Sequence, residues 1–267
     1  MNFSSLLGVG CALTVFLVAV LTSSKSPQVF LDPHGILVVI GGTISAGLMC
    51  FPVRDYGGVA KVFMKKFLGK YSTRYEEVIN ELVDIARGVR ENPDYLKQKV
   101  NTIKTHFLRD GISLMVQGGI PEDALEAIMI KRANTHSKRY DYDVAVIKTV
   151  AKFPPAFGLM GTTLGMIALL QNLGGKDAQK LLGPAMAMGL VATFYGIVLA
   201  NLVLIPISEN LSMINREDET VRTIVIDGLK LIRKKEHPKV VEEHLKSYLL
   251  PGERALLNKS PKAKAPA

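Results

Sequence analysis

Four stretches of the chain carry no Asp, Glu, Lys or Arg, and everything between them is densely charged. The first is the opening 24 residues, with an apolar run from Leu6 to Leu21. The others run from Pro33 to Val53, from Phe153 to Gly175 and from Leu181 to Ser208. Each is close to the ~20 residues a helix needs to cross ~30 Å of hydrocarbon. The pattern predicts an all-α membrane protein with four transmembrane helices, two in residues 1–53 and two in 153–208. A large charged insertion, 54–152, separates helices 2 and 3, and a charged tail, 209–257, follows helix 4. The last ten residues, NKSPKAKAPA (258–267), are low-complexity and are expected to be disordered. The first apolar run has no Lys or Arg before it and no small-x-small cleavage site, so it reads as a retained helix rather than a secretory signal.

Within the insertion the apolar positions switch to helical spacing. Thr73 and Glu76 stand at capping-box distance, and Ile79, Leu82, Val83 and Ala86 follow as one helical stripe. Asn92-Pro93 reads as a stop and restart. Val100, Ile103, Phe107 and Leu108 form a second stripe, expected to break at Asp110-Gly111. Another helix is expected to start at Pro121, with no further breaker before Pro154. The tail stays compatible with helix from Pro206 onward, and His237-Pro238 starts a short final helix. No alternation of useful length predicts a strand.

Charge then orients the spans. The insertion holds 18 Lys and Arg and the chain from Glu209 to its end 12, whereas the opposite side has only Lys25 and the pair Lys176 and Lys180. The positive-inside rule places both charged segments, and both termini, in the cytoplasm. The net charge of +9 is therefore topological first. Thirteen acidic residues interleaved in the insertion argue against a nucleic-acid partner.

The chemistry is defined by what the spans lack. With no carboxylate or Lys/Arg cation in the apolar windows, the chain cannot carry its own acidic relay, so an ion path would need a carboxylate from another chain. Cys11 and Cys50 are the only cysteines. They form no disulfide framework or zinc pattern, and the five histidines lack ligand spacing. No metal site or cofactor is expected. No nucleotide loop or nucleophile–base set is present, so the chain does not read as an enzyme.

What the spans do carry is small residues. Pro155, Gly158, Thr162 and Gly165 share one face of the third span, and Gly161 and Gly165 make a GxxxG pair. Ala185, Gly189, Ala192, Thr193, Gly196 and Ala200 make a second stripe in the fourth. Two such faces invite a partner helix, from a second copy or a different subunit. Thr162 and Thr193 lie on those faces, where their hydroxyls either bond their own helix or meet a partner's polar group. Thr163 is the better candidate for the purely local bond. Pro155 opens the third span and Pro206 closes the fourth, as a paired hinge or as two boundary stops.

The blocks PAFGLMGTTLGMIALL, GPAMAMGLVATFYGIVLAN, IPISENLS, IVIDGLKLI and HPKVVEEHLKSYLLPGER resemble the MotA/PomA family of flagellar motor stator subunits, within the MotA/TolQ/ExbB superfamily. DPHGILVVIGGTI and FLRDGISLMVQGG extend the likeness over nearly the whole chain, which looks closer to the sodium-type PomA branch than to enteric proton-type MotA. The resemblance implies a bacterial inner-membrane subunit, five copies of which ring two single-span B subunits of MotB/PomB type. The B subunit's membrane aspartate would bind the transported proton or Na+. Ion flow would then turn the ring against the rotor's switch-complex protein, FliG.

By position, Pro155 and Pro206 resemble the family's coupling prolines. Thr162 and Thr193, with Gly158, Gly165, Gly189 and Gly196, correspond to the ion path facing the B subunit. Arg87, with Arg90 and Glu91, corresponds to the rotor contact. Where relatives follow that arginine with a GLLALE-like stretch, this chain has GVRENPDYLKQ, which leaves Glu91 as the nearest acidic substitute. A hydroxyl at Thr162 suits sodium, a cation that prefers oxygen ligands, without excluding protons. The competing expectations are a TolQ/ExbB-type energiser of an outer-membrane system and a self-contained tetraspan channel. The two spans ahead of the insertion favour the stator subunit.

Overall fold

A computed structural model describes residues 3–23, 27–57, 75–92, 94–172, 178–252 and 254. Among these every regular element is helical. In chain order they are α1 (Phe3–Ser23), α2 (Pro33–Ile36), α3 (Gly42–Cys50), α4 (Tyr75–Glu91), α5 (Tyr95–Lys99) and α6 (His106–Gln117). Then come α7 (Glu122–Val150), α8 (Phe153–Asn172), α9 (Ala178–Val198), α10 (Ile205–Arg233) and α11 (Pro238–Lys246). Two stretches of wider π-helix, Leu37–Gly41 and Leu199–Leu204, join α2 to α3 and α9 to α10 without a break. The chain divides into two compact units, with divisions inside α7 after Arg139 and inside α10 after Met213.

The first unit contains α1–α3, the end of α7, α8, α9 and the start of α10. Among the described residues three helical runs are long and apolar enough to cross a membrane: Gln28–Cys50, a window within Asp123–Gln171, and a window within Leu182–Arg233. α1 adds a shorter apolar run, Gly10–Ser23. Only 22% of each long window is buried within the chain. Leu159, Leu164, Ile167, Leu170 and Leu190 instead point outward, as side chains do when the surroundings are as apolar as they are.

Local chemistry sets the helix ends. The Asp32 carboxylate caps α2, accepting from the backbone N–H groups of His34 (3.1 Å) and Gly35 (2.8 Å). Tyr195 ties this cap to α9: its hydroxyl donates to the Phe30 carbonyl and accepts from the Asp32 N–H at 3.2 Å. Phe194 stacks on Phe16 with ring centroids 5.5 Å apart and tilts against Phe30 at 5.7 Å. α7 ends at Val150, and a turn at Ala151-Lys152 separates it from α8.

The second unit packs α4, α5, α6, most of α7, the rest of α10 and α11 around an aliphatic core. Ile79, Leu82, Val83 and Ala86, the stripe expected for this helix, are all buried. Ile112, Met129, Ile224, Leu229, Ile232, Val241 and Leu245 close on them. The capping-box residue Thr73 lies outside the described residues.

The helix break expected at Asp110-Gly111 does not occur there. α6 runs through both residues, because Gly111 is buried where Leu229 packs against its bare Cα. The break lies earlier, at Ile103–Thr105, where the Glu81 carboxylate accepts from the Lys104 N–H (2.9 Å) and the Thr105 hydroxyl (3.1 Å). A side chain from another helix holds the two residues ahead of α6, so local sequence carries no sign of it. α11 starts as expected, with His237 Nδ1 accepting from the Lys239 N–H at 3.2 Å.

Candidate functional site

α8 and α9 lie against each other along their glycines in antiparallel register. A methyl group added to Gly158 would sit 2.9 Å from both the Ala192 carbonyl oxygen and the Thr193 Cα. One on Gly189 would sit 3.1 Å from the Thr162 Cα, and one on Gly165 3.2 Å from the Ala185 carbonyl oxygen. Gly196 packs directly on the Pro154 carbonyl and Pro155. Gly158, Gly165, Gly189 and Gly196 are all buried.

This corrects the expectation that the two small-residue stripes would stand open to a third helix: within the chain they meet each other. Glycine stripes show only that backbones come close. They do not say which backbone, and here the two stripes pack on each other.

The contact puts the two expected threonines side by side. Thr162 and Thr193 share a hydrogen bond between their hydroxyls. Thr162 Oγ1 also reaches the carbonyl oxygens of Gly189 (2.8 Å) and Gly158 (3.2 Å), and Thr193 Oγ1 reaches that of Gly158 (3.2 Å). Each hydroxyl has one proton. With Thr162 donating to Gly189, Thr193 donates either to Thr162 or to Gly158. Four oxygens thus converge in an apolar region, and both threonines remain half-exposed. Thr163 points outward and donates to the Met160 carbonyl at 2.7 Å, the local bond expected of it. Among the described residues no group of three or more His, Cys, Asp or Glu could hold a metal.

The two prolines sit differently from one another. Pro155 lies in the first turn of α8, where its missing N–H has no helical partner to lose. It therefore does not kink the span as an interior proline would, and the change of direction available here is the turn at Ala151-Lys152. Pro206 is the second residue of α10, directly after the π-helical stretch, whose last bond runs from the Ile205 N–H to the Ala200 carbonyl. The lost donor falls where the helix is already changing pitch.

In the second unit Arg87, Arg90 and Glu91 are exposed on the last turns of α4. Arg87 Nη1 lies 3.9 Å from Asp84 Oδ1, a half-exposed pair that contributes little to stability. On α5, Lys97 Nζ pairs with Asp94 at 2.7 Å, and that hydrogen bond holds the Lys97 ammonium above its ordinary pKa. The buried face of α11 packs on α4, so α11 holds this charged corner from behind.

The sequence reading passed over several residues that shape these sites. Tyr195 and Asp32 pin the start of α2, and the buried Asp55 accepts from the Tyr142 hydroxyl at 2.7 Å. The buried aspartate directly after an apolar window was the one available signal for the second pair. The π-helical stretches have no sequence signature of their own.

Residues 99–224 match the MotA/TolQ/ExbB proton channel family. The chain is 34% identical to the chemotaxis protein PomA of Vibrio alginolyticus, over 96% of this chain and 98% of that one. It is 30% identical to motility protein A of Borreliella burgdorferi, over 97% and 98%. Among solved structures it is similar to the flagellar MotAB stator complex from Bacillus subtilis. The TM-score is 0.85 at 25% identity, covering 95% of this chain and 98% of that one. C. jejuni MotAB shares the fold, with a TM-score of 0.84 over 99% of both chains at 19% identity.

Proposed function

The chain belongs to the MotA/TolQ/ExbB proton channel family, among its motility proteins, and from that premise we propose how it works as the A subunit of a flagellar stator. Its four charge-free windows contain no carboxylate. The ion-binding aspartate therefore comes from a single-span B subunit. Thr162 and Thr193, with the carbonyls of Gly158 and Gly189, give that aspartate's ion a set of oxygens in place of its water shell. Gly165 and Gly196 hold α8 and α9 close enough for those oxygens to converge. The transported ion is a proton or Na+, and the oxygen set favours Na+.

Four spans, α1 among them, place both termini and both charged segments in the cytoplasm, with five copies around the B subunits in the inner membrane. Movement in the membrane passes into α7 and α10 at the turn before Pro155 and at the pitch change before Pro206. Arg87, Arg90 and Glu91 then push on the rotor's switch-complex protein. The single observation that carries the reading is the threonine pair between two carboxylate-free spans: a polar half-site that is incomplete alone.

The relatives at 34% and 30% identity are motility proteins, which favours this reading over a TolQ/ExbB-type energiser. The deciding experiment measures swimming speed of a strain powered only by this subunit and its B subunit, across sodium concentrations, with and without a protonophore. Sodium-dependent speed that survives the protonophore identifies Na+. Protonophore-sensitive speed indifferent to sodium identifies protons. Normal swimming after deletion, with a leaky envelope or failed iron uptake, overturns the stator reading.

A further inference from the structure

Gly88 is buried in the middle of the charged corner, between exposed Arg87 and Arg90. A methyl group there would collide with the ring of Tyr95, which packs against the bare backbone of α4. The connection between the two helices is equally specified. The Asn92 N–H donates to the Gly88 carbonyl at 2.9 Å, and the Tyr95 N–H donates to the Asn92 carbonyl at 3.1 Å. The Asn92 side-chain oxygen accepts from the Asp94 N–H at 2.9 Å, a local turn typical of asparagine. Lys99 Nζ stands 6.0 Å from the centre of the Tyr95 ring.

We infer that Gly88 and Tyr95 form a latch that fixes α5 to the end of α4 and so positions Arg87, Arg90 and Glu91 against the rotor. The inference rests on the rotor-contact reading above and adds how this chain builds that contact. Torque is a sideways force on a few side chains, so a corner that yields under load loses it. The ordinary solution is a longer helix; here the chain turns at Asn92, and the ring seated on Gly88 supplies the stiffness. Arg87 is beside Asp84 and Lys97 beside Asp94, whereas Arg90 and Glu91 have no ion-pair partner among the described residues. They are the charges left to answer a partner of either sign. Gly88 and Tyr95 touch no rotor atom and act by positioning.

The test uses the full chain with its B subunit as the only stator in a motile cell, reading stall torque per stator unit by bead assay. Complex yield and melting temperature are read in parallel on purified material. Gly88→Ala and Tyr95→Ala are each expected to cut torque per unit at least fivefold with yield unchanged, and Tyr95→Phe to retain it. With the ring gone the methyl has room, so Gly88→Ala combined with Tyr95→Ala should lose no more than Tyr95→Ala alone. Losses that multiply in the double variant overturn the latch, as does a torque loss matched by an equal loss of yield. Arg87→Ala separates the two levels. If it costs torque and Gly88→Ala does not, the latch fails and the rotor contact stands. If Arg87→Ala, Arg90→Ala and Glu91→Ala all leave torque intact, the rotor-contact reading fails first.

Discussion

Gly158 and Leu82 are both buried, one because it has no side chain and the other because it has a large one. Around Gly158 the membrane unit brings backbone to backbone, glycine against the carbonyl of Ala192, while Leu159, Leu164, Ile167, Leu170 and Leu190 face outward. Around Leu82 the charged unit does the reverse. Its aliphatic side chains meet in a core with Ile79, Ile224 and Leu229, while charged residues such as Arg87, Arg90 and Glu91 face outward. The difference follows from the solvent. Water drives apolar area inward at ~25 cal/mol per Å². Lipid offers no such gain, so dispersion between closely fitted backbones and a few interhelical hydrogen bonds must do the work. Hence the same kind of substitution should fail in opposite directions in the two units.

The largest effect is expected from filling the backbone contact. Gly158→Leu would force α8 off α9, since the atoms in its way are main chain and cannot turn aside. No complex with the B subunit should be recovered from membranes. Normal yield would mean that the α8–α9 contact is not what holds the unit.

Emptying the other core comes next. Leu82→Ala removes a fully buried side chain whose methyl groups sit against Gly228, at an expected cost of about 2–5 kcal/mol. Urea unfolding followed by circular dichroism would show it. A loss below about 1 kcal/mol would mean that the site collapses freely.

A smaller effect on stability, with a larger one on function, is expected at the threonines. Thr162→Ala removes an interhelical hydrogen bond worth roughly 0.6–1.7 kcal/mol in a membrane. It should leave assembly nearly intact while slowing swimming and changing its dependence on sodium. Thr162→Ser should restore both. An unchanged speed-against-sodium curve for the alanine variant would reduce the pair to a structural bond.

The smallest is a matter of pH in the charged unit. Burial, aided by the hydrogen bond to Asp227, pushes the Tyr248 hydroxyl up to about 12. A raised value means its contribution is complete below pH 10 and is lost as pH rises through about 12. Alkaline melting curves should show a small step in that window. Tyr248→Phe should remove the step, and its persistence would assign it to another group.

How far the chain could be read before folding differs between the same two regions. In the charged unit the stripe Ile79–Ala86 and the start of α11 at His237-Pro238 were legible, because water imposes a period on whatever it excludes. The break before α6 was not, since Glu81 holds Lys104 and Thr105 in place from another helix. In the membrane unit the apolar windows, the small-residue stripes and Thr162 and Thr193 stood out in the sequence. Their pairing did not. A stripe records that something comes close, and a second stripe in the same chain and a helix of another subunit leave the same record.

The sequence by itself determined that the apolar windows alternate with basic segments, that no carboxylate lies in those windows, and that two threonines sit among glycines. Composition and spacing alone carry those facts. Only the tertiary structure decided that the glycine stripes face each other and that the two hydroxyls meet. It likewise decided that Pro155 opens a helix instead of bending one, and that Tyr95 covers Gly88. Each depends on which distant residue arrives at a given surface. That is chosen by the fit of whole faces in three dimensions, of which neighbouring residues along the chain carry no trace.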